Sequence, residues 1–127
     1  MPLKLAIASH RDPACTVVAM DGELDATTRG KAGKALEDLL ARGCDRLVLD
    51  VSGLGFCDSG GLWLLLDVSR KAGRSGGWVR LAGADGFLRR LLALTHLDSA
   101  FALDPDVAAS LTGVSGAAPP SPGAQDG

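Results

Sequence analysis

Apolar and polar positions alternate from the start of the chain: Leu3, Leu5 and Ile7 are separated by Lys4, Ala6 and Ala8. That two-residue period predicts a first β-strand, and Thr16-Val17-Val18-Ala19-Met20 predicts a second. Arg11-Asp12-Pro13-Ala14 has turn chemistry, and so short a link implies an antiparallel hairpin. After the acidic loop Asp21-Gly22-Glu23-Leu24-Asp25, a helical period runs from about Ala26 to Ala41. Its apolar stripe is Ala32, Ala35, Leu36, Leu39 and Leu40, with Gly43 as its stop and Arg42 near the last carbonyls. Gly30 and Gly33 each cost such a helix up to about 1 kcal/mol relative to alanine, or else permit close packing on the sheet.

Leu47 to Val51 is an apolar run rich in β-formers, so the third strand is expected to be buried on both faces. A Gly-punctuated loop, Ser52 to Ser59, then turns into a helix running to about Ala72. With Leu62, Trp63, Leu64, Leu65 and Leu66 its first half is nearly apolar all round, which predicts two contact faces. Arg70, Lys71 and Arg74 at its end suit the negative pole of a helix. Trp78 to Leu81 reads as a fourth strand, and Asp85 to Leu94 as a helix with Phe87, Leu88, Leu91 and Leu92 inward and Arg89 and Arg90 outward. Leu97 to Leu103 has room for a short strand and Pro105 to Leu111 for a last short helix. The order predicts an α/β domain over residues 1–112, a mixed four- to five-stranded sheet with helices packed mainly on one face. Residues 113–127 are almost all Gly, Ala, Ser and Pro and are read as a disordered tail.

Strands separated by whole helices are expected to lie parallel through right-handed crossovers. In such sheets the loops leaving the strands' carboxyl ends form the working edge. If their strands are parallel neighbours, the acidic loop Asp21 to Asp25 and the loop Ser52 to Ser59 share one rim. Asp58 and Ser59 are residue types that cap a helix. A serine there sits where free amides and the helix dipole favour negative charge.

Composition narrows the function classes. A chain of 127 residues, 46% apolar, holds one ordinary core. A net charge of −2 offers no footprint for nucleic acid. Cys15, Cys44 and Cys57 are odd in number and irregularly spaced, without metal-site grouping, which points to a reduced cytoplasmic setting. The longest apolar run, Leu62 to Leu66, falls far short of the ~20 residues of a membrane span. The first residues lead into alternation instead of a signal-peptide core.

Two enzyme readings are available. Asp58-Ser59-Gly60-Gly61 is identical to the tetrapeptide around the nucleophile of chymotrypsin-like proteases, but that fold needs two β-barrels and nearly twice this length. A strand–Ser–helix turn also resembles a nucleophile elbow, with Cys57 in place of its first Gly. Either needs a histidine base, and His10 and His96 are the candidates. Gly53-Leu54-Gly55 lacks the remaining features of a phosphate loop. Cys57 flanks a helix N-terminus, which lowers a thiol's pKa, yet a small buried cysteine is the commoner reading.

Four segments together resemble the STAS domain family, specifically the single-domain anti-sigma factor antagonists of bacteria. They are Gly22-Glu23-Leu24-Asp25; Leu47-Val48-Leu49-Asp50-Val51-Ser52-Gly53-Leu54; Phe56-Cys57-Asp58-Ser59-Gly60-Gly61-Leu62; and Leu91-Leu92-Ala93-Leu94-Thr95-His96-Leu97-Asp98. The resemblance, over roughly residues 3–111, implies a binding module and not an enzyme, without cofactor or metal. It implies capture of an anti-sigma factor, commonly a serine kinase, with release of a sigma factor. Phosphorylation at the start of the second helix, reversed by a phosphatase, would switch the capture off. It further implies a monomer or weak dimer that binds neither nucleic acid nor membrane. The implied partner surface is Glu23, Asp25, Asp58, Ser59, Gly60, Gly61, Leu62 and Trp63. As a plain reading of residue types, Glu23, Asp25 and Asp58 serve equally as strand ends and caps, and Trp63 equally as core.

One departure stands out. The family usually carries its phosphoacceptor at the second hydroxyl of Asp-Ser-Ser/Thr-Gly, and that position is Gly60. Ser59 is then either an out-of-register acceptor or unmodified in a constitutive antagonist, and a phosphorylation-independent scaffold or competitor is the alternative. If Ser59 folds back as the helix cap its oxygen is engaged, and Gly60→Ser is expected to create or strengthen phosphorylation.

Overall fold

The computed structural model describes residues 2–11 and 13–116. Their order is β1 (Leu3–Arg11), β2 (Ala14–Leu24), α1 (Arg29–Ala41), β3 (Arg46–Asp50), β4 (Leu54–Cys57), α2 (Ser59–Arg74), β5 (Trp78–Ala82), α3 (Gly86–Leu94), β6 (Ala102–Asp104) and α4 (Val107–Gly116). The hairpin forms as its turn chemistry requires, with β1 antiparallel to β2 in a register that pairs Leu3 with Gly22 and Arg11 with Ala14. β2, β3, β5 and β6 then run parallel, in the sheet order β1-β2-β3-β5-β6.

The sheet has six strands, because β4 formed where a loop was expected. β2 likewise runs on through the expected acidic loop to Leu24. The two differences share a cause. Gly22 adopts φ of 124°, a backbone region that side chains avoid, and the β2–β4 register shifts between Gly22 and Glu23. A Cβ there would lie 2.0 Å from the Pro2 carbonyl oxygen. With that bulge β2 leaves β3 and pairs with β4 instead, joining Glu23 to Phe56 and Leu24 to Cys57. Four residues with Gly55 among them carry too little alternation to announce such a strand.

α1, α2 and α3 cover one face of the sheet. Leu36, Leu39, Leu62, Leu65, Val68, Leu88 and Leu92 are buried there with Leu47, Leu49 and Leu81 of the strands. Gly33 admits the close approach of α2, not of the sheet: a Cβ on it would meet Leu64 at 3.3 Å. Lys71 pairs with Glu37 across the two helices and with Asp67 at 3.1 Å within α2. Its charge is therefore engaged by side chains, a role distinct from the helix-pole one that its position suggests.

α4 packs on the opposite face, where Val107 and Leu111 lie against Val48, Ala82 and Cys15. It runs to Gly116, so residues 113–116 of the expected tail are helical and the rest lie outside the described residues. Arg80 donates to both oxygens of Asp104, at 2.8 and 3.1 Å, and the fully buried Ser110 hydroxyl donates to Asp104 at 2.7 Å, pinning α4 to β5 and β6.

Candidate functional site

β2 and β4 are parallel neighbours that end side by side, so Glu23, Asp25 and the start of α2 share one rim, as expected. The Asp58 amide donates to the Leu24 carbonyl at 3.1 Å, fastening the two chain exits together. Gly61 is buried against Leu24: a Cβ would sit 2.7 Å from Leu24 Cγ and 3.0 Å from its carbonyl oxygen. Only glycine lets α2 begin this close to β2.

The cap of α2 is Asp58 and not Ser59. Asp58 Oδ1 accepts the Gly61 amide at 2.7 Å from an extended backbone. Ser59 is the first helical residue, exposed, and among the described residues its hydroxyl makes no hydrogen bond. The expected engagement of its oxygen is therefore corrected. An N-cap aspartate satisfies the amide three residues on, so the following serine is not needed as the cap.

Asp25 organises the turn into α1. Its Oδ1 accepts the Thr27 amide at 2.9 Å and the Thr27 hydroxyl at 2.7 Å. These bonds hold its carboxyl below the ordinary aspartate range, the Thr27 hydroxyl contributing most. Thr28 adds a bridge, donating its hydroxyl to the Glu23 carbonyl at 2.7 Å and accepting the Asp25 amide at 3.0 Å. Asp25 is a turn residue first. Glu23 is half-buried and has an interaction of its own.

Of the remaining expected surface residues, Leu62 is 1% exposed and belongs to the core, whereas Trp63 is 54% exposed. Consecutive residues on a helix point about 100° apart, so a Leu facing the sheet turns its successor outward. Phe56 and Phe87 were missed. They stack with ring centroids 6.5 Å apart and both are exposed, Phe87 contrary to the inward position its spacing implied. Phe56 lay within the expected loop, where no periodicity assigns a face.

Arg29 was missed as well. Its Nη1 lies 3.5 Å from Asp58 Oδ1. It occupies the space over Gly60, where a Cβ would come 1.4 Å from Nη1 and 2.5 Å from Cζ. No local signal in the sequence links these two positions.

The enzyme readings find no support in this geometry. His10 pairs with Cys15 at the start of β2, while Ser59 follows the strand that pairs with Leu24 at its end. Nine residues of strand at ~3.3 Å each put them roughly 30 Å apart. His10 Nδ1 lies 3.0 Å from the Pro13 carbonyl oxygen. His96 sits exposed in the turn after α3 with φ of 59°. Burial, and to a lesser degree the charge of Asp58, push the Cys57 thiol up to about 12, so it is no thiolate nucleophile. A cleft of about 440 Å³ lined by His10, Cys15, Cys44 and Arg46 opens at the other end of the sheet. Among the described residues no acid, histidine and cysteine cluster suits a metal, and no helix is long and apolar enough to cross a membrane.

Residues 7–112 match the family described as Mlab, STAS domain. The anti-sigma-F factor antagonist RsfB of Mycobacterium tuberculosis is 32% identical over 114 residues, 90% of this chain and 91% of that one. The crystal structure of an anti-sigma factor antagonist from Mycobacterium paratuberculosis superposes with a TM-score of 0.78 at 31% identity, covering 88% of this chain and 93% of that one. The phosphorylated form of the Bacillus cell fate determinant SpoIIAA, at 18% identity, superposes with a TM-score of 0.69 over 87% of this chain and 99% of its own, a likeness of fold.

Proposed function

This chain belongs to the STAS domain family, and from that premise we propose that it is an anti-sigma factor antagonist. It captures an anti-sigma factor of the serine-kinase type on the rim built by Glu23, Asp25, Asp58, Ser59, Gly60 and Trp63, and so frees a sigma factor. The observation that carries this is the convergence of two chain exits on a glycine-tight helix start that bears an exposed hydroxyl and an exposed tryptophan. Tryptophan is over-represented among residues that dominate binding energy. Similarity to antagonists along nine-tenths of the chain supports the same role. No chemistry is asked of the rim, which acts by shape and charge.

Ser59 is the proposed acceptor when the bound kinase turns on its captor. Its hydroxyl is exposed and unengaged, whereas Gly60 has none to offer. A phosphate adds about −1.5 to −2 charge one residue from Asp58 and four from Trp63. Every ~1.4 kcal/mol of the resulting repulsion and desolvation weakens capture tenfold. Removal by a phosphatase restores it.

The experiment is displacement. Titrating the chain into a purified complex of anti-sigma and sigma factor, followed by size exclusion, releases free sigma factor in proportion. Failure to form an anti-sigma complex at tens of micromolar would overturn the proposal. Labelling of Ser59 by a fluorophosphonate probe, abolished in Ser59→Ala, would instead establish a hydrolase.

A further inference from the structure

Arg29 has donors to spare beyond its ion pair with Asp58. A guanidinium carries five N–H groups. Among the described residues its polar contact is the 3.5 Å approach to Asp58, longer than the roughly 2.7–3.2 Å of a direct N–H···O bond. The acid beside it is shared: Asp58 Oδ1 also accepts the Gly61 amide, at 2.7 Å. Arg29 also opens α1 while its guanidinium stands over the start of α2, and neither first turn contains an acid. Two positive helix poles and a cation thus meet around one carboxylate, that of Asp58. The side chain is 38% exposed and stands over Gly60, the residue after the exposed Ser59.

Gly60 is what makes the arrangement possible. A Cβ at that position would fall 1.4 Å from Nη1, so any other residue requires the flexible end of Arg29 to shift from where it stands. The two positions, far apart in sequence, lie against each other.

We infer that Arg29 is a specificity-determining residue of the rim, presenting its guanidinium to a carboxylate side chain of the anti-sigma factor, with Gly60 as the space that lets it stand there. The inference rests on the functional reading above and adds to it the partner's chemistry. A planar fork matches a carboxylate through two parallel hydrogen bonds, which a lysine ammonium does not reproduce.

The test is calorimetric titration of the purified anti-sigma factor into wild type, Arg29→Ala, Arg29→Lys, Gly60→Ala and the double variant Arg29→Ala/Gly60→Ala, at low and high salt. Arg29→Ala is expected to weaken binding about tenfold or more, the scale of one charge-assisted contact, and to flatten the salt dependence. Arg29→Lys recovers only part of the loss. Gly60→Ala matches Arg29→Ala because it displaces the guanidinium, and the double variant loses no more than either alone. Circular dichroism and thermal melting establish that each variant is folded. Unchanged affinity in Arg29→Ala, or additive losses in the double variant, would overturn this inference and leave the functional reading standing. A wild-type chain that does not bind the anti-sigma factor would overturn both.

Discussion

Replacing Asp58 separates what the start of α2 contributes to folding from what it contributes to docking. Its carboxylate accepts the Gly61 amide at 2.7 Å, a cap that contributes about 1 kcal/mol. Its charge at the positive helix pole adds about 0.3–1 kcal/mol. The ion pair with Arg29, at 3.5 Å between side chains 38% and 32% exposed, adds a few tenths at most. Because these contributions overlap, Asp58→Ala is expected to lose about 1–2 kcal/mol. That corresponds to a midpoint drop of roughly 4–10 °C for a domain of this size. Asp58→Asn keeps an oxygen for the cap and loses only the charge, so about 0.5 kcal/mol is expected. Urea unfolding followed by tryptophan fluorescence and far-UV circular dichroism measures both variants. Equal losses in the two would show that charge and not capping matters. No loss in Asp58→Ala would refute the assignment of Asp58 as the cap.

Three further outcomes follow from the geometry. With a cognate anti-sigma kinase and radiolabelled ATP, wild type incorporates label and Ser59→Ala does not; label persisting in Ser59→Ala places the acceptor elsewhere. Gly61→Ala forces a methyl group to within 2.7 Å of Leu24 Cγ, and overpacking of this kind costs about 1–3 kcal/mol; a denaturation midpoint equal to wild type would contradict the close contact. Burial alone would raise the Asp104 carboxyl, but hydrogen bonds from Arg80 and Ser110 and the charge of Arg80 outweigh it and hold the group below its usual 3.8. Its folded pKa is lower than its unfolded one, so its contribution is complete above the unfolded value and fades as pH falls below it. Stability measured against pH should therefore drop in that acid range, with the drop reduced in Asp104→Asn; identical profiles would remove Asp104 from the account.

The parts of the fold legible in sequence were those with a strong period. β1, β3, β5 and the three helices on the main face follow from alternation, apolar runs and the 3.6-residue stripe. β4 was hidden because it is four residues long, contains Gly55, and exists only through a bulge at Gly22 that a local pattern does not announce. At the site, the two exits and the capping role of the Asp58–Ser59 pair were legible, but which of the two caps depends on backbone angles. Leu62 and Trp63 both fall in the partner surface that the resemblance implies, with core left equally open for Trp63, and helix rotation sends only Leu62 to the core. Phe87 was assigned inward by spacing alone, yet it stacks on Phe56 at the edge. Arg29 was beyond reach. Its position depends on α1 and α2 starting side by side, a tertiary fact set by strand order.

The central claim is tested most directly by amide chemical-shift mapping of the isotopically labelled chain titrated with its anti-sigma factor. The account predicts that the perturbed amides cluster at Glu23–Asp25, Arg29 and Ser59–Trp63, and that the amides around His10, Cys15 and Arg46 at the other end of the sheet stay unmoved. Perturbations centred on that opposite end, or no perturbation at saturating partner, would contradict it.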